Sequence, residues 1–128
     1  MAKSYHIEVA RHVTEVDAKW IDNLLSHFDV AGVAGGKQGT PRRITLTGIA
    51  HIVLIQRLSS RMGVRIGEAV GLASRLMSPD STISIHVGID LSIDRDRFLD
   101  EVRRLVEQAA EAIVPARRGR PPVGLRVR

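Results

Sequence analysis

Cysteine is absent from the 128 residues of the chain, which excludes a disulfide framework, thiolate metal ligation and a cysteine nucleophile together. Aromatic residues are almost as scarce. One Trp, one Tyr and two Phe leave the core to Ile, Leu, Val and Ala. No apolar run reaches the about 18 residues that a membrane-crossing helix needs, and the opening Met1-Ala2-Lys3-Ser4-Tyr5-His6 lacks the apolar stretch of a secretory signal. A cytoplasmic protein is expected. His6, His12, His27, His51 and His86 are scattered without an H-x-x-x-H pair, so no metal site is expected. The glycines do not form a G-x-x-x-x-G-K-[ST] loop and no acid–base pair stands out. Neither a cofactor nor enzyme activity is expected.

Against these absences stands a hydrophobic fraction of 44%, enough for one compact domain, or a small domain with an appendage. The net charge of +5 conceals a segregation along the chain. Residues 1–36 carry three cations and five acids, and residues 37–75 carry seven and one. Residues 76–116 carry four and eight, and residues 117–128 hold five arginines and no acid. Basic blocks alternating with acidic segments point to one basic face for a polyanion.

The apolar spacing organises the chain. Ile7, Val9, Ala10 and Val13 mark a first helix with Ser4 as its cap, and Thr14-Glu15-Val16 a turn. Asp17 caps a second helix to about Phe28, with Trp20, Ile21, Leu24, Leu25 and Phe28 inward and Lys19, Asp22 and Asn23 on the polar face. A Gly-rich basic loop follows, from Gly35 through Lys37, Gly39, Arg42 and Arg43. Thr45 caps a strongly apolar third helix that Gly63 ends, and a fourth runs to about Met77 before Ser78-Pro79-Asp80. Residues 83–93 alternate apolar and polar throughout, which predicts one long strand. Residues 95–114 predict an amphipathic helix closed by Pro115, and Val123, Leu125 and Val127 a last strand. The long strand pairs with this one, giving a β-α-β appendage, or pairs across a homodimer.

Three segments carry a resemblance. Tyr5-His6-Ile7-Glu8-Val9-Ala10, the basic Gly39-Thr40-Pro41-Arg42-Arg43-Ile44-Thr45, and Arg57-Leu58 followed by Gly63-Val64-Arg65-Ile66-Gly67-Glu68-Ala69 stand in an order that resembles the MerR family of winged helix-turn-helix regulators. What this implies is a winged helix-turn-helix DNA-binding domain over 1–78, which with the strand-helix-strand appendage read from the spacing over 79–128 makes an α+β fold. It also implies binding of double-stranded DNA as a homodimer, the second helix in the major groove and the wing on the flanking backbone. By position, Thr14, Asp17, Lys19 and Asn23 lie on or near the recognition helix, and Lys37, Arg42 and Arg43 are the wing cations. Ile44 stands where the family usually has an aromatic, and Gly48 at a common acidic position. Without the long dimerising coil and effector-binding cysteines of typical members, the chain is closer to a small excisionase-like, antitoxin-like or repressor-like relative.

Near the end, Arg117-Arg118-Gly119-Arg120-Pro121 contains an Arg-Gly-Arg-Pro that resembles the core of an AT-hook, whose arginines enter a narrow A·T minor groove. Phosphate contact by Arg118 and Arg120, or a basic loop, is the competing reading. A second functional class stays open beside DNA binding. The apolar strand and amphipathic helix also suit a protein-interaction module, antitoxin-like or adaptor, that meets a protein partner through the appendage.

Overall fold

The computed structural model describes residues 3–36, 40–79 and 82–118, with side chains to Ile113 in the last helix. Lys37 and the segment expected as the last strand, with Arg120, lie outside the described residues. The chain is an α+β protein built from five helices and two small antiparallel sheets. Strand β1 (Ser4–Tyr5) leads into helix α1 (Ile7–Thr14), and α2 (Ala18–His27) follows. Strands β2 (Val33–Ala34) and β3 (Arg43–Thr45) form a hairpin, and β1 pairs with the other edge of β3, so the strand order is β1-β3-β2.

The first two helices begin and end for local reasons. The His6 side chain, not that of Ser4, caps α1, its Nδ1 accepting from the Glu8 N–H at 3.1 Å. Ser4 sits in β1 opposite Thr45, so its backbone is already extended and committed to the sheet. Glu15 ends α1 in the left-handed region at φ 60°, its N–H donating to the Arg11 carbonyl. That reversal lets α2 start at Ala18 with Asp17 at its N-cap position, although the Asp17 carboxylate makes no capping hydrogen bond.

Helix α3 (Leu46–Met62) is the centre of the molecule. Ile49, Ala50, His51, Ile52, Val53, Leu54 and Ile55 are buried in succession, which a helix permits only when neighbours cover it on every side. Those neighbours are α1, β3, α4 (Ile66–Leu76) and α5 (Arg95–Arg118). Thr45 caps α3 by accepting from the Gly48 N–H at 3.2 Å, and Gly63 closes it at φ 69°. His51 satisfies its buried ring through Nδ1, 2.8 Å from the Thr47 carbonyl oxygen.

The alternating segment after α4 is a hairpin rather than one strand. Strand β4 (Ile83–His86) turns through Val87 and Gly88, the latter at φ 83°, into β5 (Ile89–Leu91). The two-residue turn pairs His86 with Ile89 and so reverses the odd–even phase, and a one-residue bulge between Ser84 and His86 restores it, which lets one unbroken alternation fold back on itself. The strand therefore finds its partner in itself, with Ile83 opposite Leu91.

Helix α5 runs through Pro115, the expected stop, to Arg118. Proline removes one N–H and crowds the carbonyl four residues earlier, but it leaves the rest of the helix ladder in place. Asp94 starts the helix, its Oδ1 accepting from the Arg97 N–H at 3.2 Å. Val102, Val106 and Ala109 are buried where α5 packs on α1 and α3, and they share one core with Val9, Val13 and Ile52. On the opposite face, Arg104 hydrogen-bonds Glu101 and holds its carboxyl below the ordinary value. This is a solvated pair of small energetic weight. Among the described residues no helix is long and apolar enough to cross a membrane.

The base of the β2–β3 hairpin is pinned to the start of α3 by two glycines. A Cβ on Gly48 would lie 2.7 Å from the Gly32 oxygen and 2.8 Å from the Ile44 side chain. At Gly67, by contrast, a Cβ would meet Phe28 at an ordinary 3.6 Å. In urea denaturation, Gly48→Ala is expected to destabilise the protein by about 1–3 kcal/mol. Gly67→Ala is expected to be neutral or to stabilise by about 0.5 kcal/mol. Equal effects at the two positions would contradict the close packing.

Candidate nucleic-acid interface

Helix α2 divides cleanly into two faces. Ile21 and Leu24 are buried, and Trp20, Leu25 and Phe28 pack half-buried beside them. Lys19, Asp22, Asn23 and Ser26 are exposed, and their spacing of three, four and seven residues puts them on one stripe. Asn23 also edges a shallow cavity of about 280 Å³ with Trp20, His27 and Ile66. Its amide offers a donor and an acceptor together, the pair that adenine's major-groove edge complements.

The hairpin lies alongside this stripe and is tied to it. Arg42 Nη1 donates to Asp22 Oδ1, and Nη2 donates to Ser26 Oγ at 3.2 Å. The Arg42 side chain is only 14% exposed, so its guanidinium is spent inside the molecule. Gly36 makes room for it, since a Cβ there would stand 2.8 Å from Arg42 Cγ and Nε. At φ 91° that position also suits glycine for backbone reasons. The Gly36 N–H donates to the Thr40 carbonyl at 2.8 Å, closing the loop below its tip.

Arg43, the next residue, points elsewhere, as strand alternation requires. Its Nε donates to Ser4 Oγ at 3.2 Å across the sheet. The side chain is exposed, and its two terminal amino groups have no partner among the described residues. Arg43 thus keeps an open charge where Arg42 does not.

The residues singled out from sequence therefore separate. Lys19, Asn23, Arg42 and Arg43 are brought to α2 and its adjoining hairpin, and Asp17 sits exposed at the N-terminal end of the same helix. Thr14 is a correction: it is 2% exposed, and its hydroxyl donates to the Ala10 carbonyl at 2.8 Å. It closes α1 from inside the core and has no surface to offer. Lys37 and Arg120 fall outside the described residues, and of Arg118 only the helical backbone is described. Sequence reasoning left Asp22 and Ser26 off the site, although their spacing of one helical turn on the polar face was the available signal for a shared partner.

Electrostatically the arrangement matters because Asp22 would otherwise present a bare carboxylate beside Lys19. Arg42 neutralises it, leaving Lys19, one helical turn before Asn23, and Arg43, on the opposite strand face of the hairpin, as exposed cations. Among the described residues no cluster of His, Asp and Glu is arranged to hold a metal ion.

A double-mutant cycle on Asp22→Ala and Arg42→Ala, read by urea denaturation, is expected to give a favourable coupling of about 0.5–1 kcal/mol. Gly36→Ala should abolish most of that coupling by displacing the guanidinium. Additive single effects would contradict the tie. Comparison of the chain with protein-family models, with curated proteins and with solved structures found no match in any of the three.

Proposed function

We propose that the protein binds double-stranded DNA as a homodimer and regulates transcription, with α2 as the recognition helix and the β2–β3 hairpin as a wing. The observation that carries the reading is the bond from Arg42 to Asp22 and Ser26, which makes the hairpin and the exposed stripe of α2 one continuous surface. The strand order β1-β3-β2, with α1 and α2 inserted between β1 and β2, is consistent with a winged helix-turn-helix of the MerR-like kind. On this reading Asn23 reads a base edge, while Lys19 and Arg43 hold phosphates. Arg42 positions the wing and silences Asp22. It does not itself neutralise a phosphate.

The rival class, an antitoxin-like or adaptor protein that works through a protein partner, is favoured by a different observation. Ile85, Val87 and Ile89 on the second hairpin are exposed by 59%, 91% and 54%, an apolar display that suits contact with protein.

Labelled genomic duplexes titrated with the full chain at several salt concentrations test the reading. Salt-sensitive binding is expected, and Arg43→Ala should reduce the log–log salt slope by about 0.9. Arg42→Ala should weaken binding with little change in slope, because its charge is already paired. Adding Asp22→Ala to it should restore part of the affinity by removing the carboxylate left facing the phosphates. A slope change for Arg42→Ala equal to that for Arg43→Ala would make Arg42 a phosphate contact, and absence of binding at low salt would sink the proposal.

A further inference from the structure

Ile85, one of the exposed large apolar side chains among the described residues, lines an open groove. It has a volume of about 630 Å³ and runs between α4 and the β4–β5 hairpin, floored by Val64, Leu72 and Leu91. Met62 at the end of α3 and Ile85, Val87 and Ile89 on the hairpin are the four exposed large apolar side chains among the described residues. An open groove with an apolar floor on a charged protein calls for a covering surface.

The charges on its rim say which. Glu68, Gly71, Leu72 and Arg75 all line the groove from α4, and their spacing places them on one face of that helix. The centre of the set falls between Gly71 and Leu72, with the acid and the base at equal distances on either side. Neither Glu68 nor Arg75 has an ion-pair partner among the described residues. At Gly71 an added Cβ would meet nothing within 4 Å, so another backbone has room to come close.

We infer that this face is a twofold interface between two copies of the chain, in which α4 packs antiparallel against the same helix of the partner. The inference rests on the homodimer proposed above and states where that dimer is made. A twofold contact must be self-complementary, each residue meeting the counterpart of its own partner position. An axis through the Gly71–Leu72 midpoint satisfies this. Leu72 then rests on the bare backbone at Gly71 of the partner subunit. Glu68 meets Arg75 of the partner subunit, and the symmetry repeats the pair about 10 Å along the helix. Ile85 closes each side of the seam. A face with charges of one sign would repel its own copy, whereas this one attracts it.

Sedimentation of the full chain without DNA, over a wide concentration range, tests the interface separately from DNA binding. The wild type is expected to dimerise. Glu68→Arg and Arg75→Glu should each weaken the dimer by at least about tenfold, since the twofold brings two reversed pairs together. The charge-swapped double variant should regain it. Gly71→Trp, whose side chain enters open space in the monomer, should abolish dimerisation while the circular-dichroism melt shows a folded chain. A wild type that stays monomeric overturns both this interface and the homodimer. A wild type that dimerises overturns this interface alone if the folded single variants dimerise equally well, if the folded double variant stays monomeric, or if Gly71→Trp has no effect. Mass added only with a second protein present points to the rival partner instead and overturns the twofold.

Discussion

Where the first hairpin can lie is decided by the contact between Gly32 and Gly48. The Gly32 carbonyl accepts from the Thr45 N–H at 2.9 Å and from the Thr45 hydroxyl at 3.3 Å, while Thr45 also accepts from the Gly48 N–H as the cap of α3. One short cluster therefore starts the central helix, ends strand β3 and anchors the base of the hairpin. Side chains at either glycine would force these backbones apart. Because α3 is buried on all sides from Ile49 to Ile55, the hairpin inherits its position from the close-packed centre of the molecule. The tie from Arg42 to α2 then fixes its outer part.

This arrangement accounts for the residue types at Ile44 and Gly48. Ile44 is fully buried between the flanking strands β1 and β2 and against the Gly48 backbone. A branched aliphatic side chain fits where backbone segments approach this closely. Gly48 is required by the same approach, so the two residues form one packing solution. The consequence for the proposed site is that the hairpin lies against the start of α3 and is tied to α2 by Arg42.

Much of this was legible in the sequence. The periodic apolar residues of α2 and α3, Asp17, Thr45 and Gly63 at their ends, and the glycines around the first hairpin each act within a few residues. What escaped were effects of tertiary pairing. Unbroken alternation over 83–93 reads as a strand because the bulge between Ser84 and His86 offsets the phase change of the two-residue turn, and only Gly88 hinted at the reversal. Pro115 read as a terminus from local chemistry alone. At the candidate site, Lys19 and Asn23 were legible as an exposed helical stripe, but Thr14 looked equally polar and proved to be a core residue satisfied by its own helix. Arg42 and Arg43 are adjacent and identical in type. Their opposite strand faces, one turned to Asp22 and the other left open, depend on a fold that spacing does not reveal.

The central claim is that α2 and the first hairpin together form the surface that meets DNA. Backbone amide chemical shifts of the full chain, followed during titration with duplex DNA, test it most directly. The account predicts shifts concentrated at Lys19 to Ser26 and around Arg43, with the second hairpin at residues 83–91 unchanged. Perturbation confined to residues 83–91, or none at low salt, would contradict it.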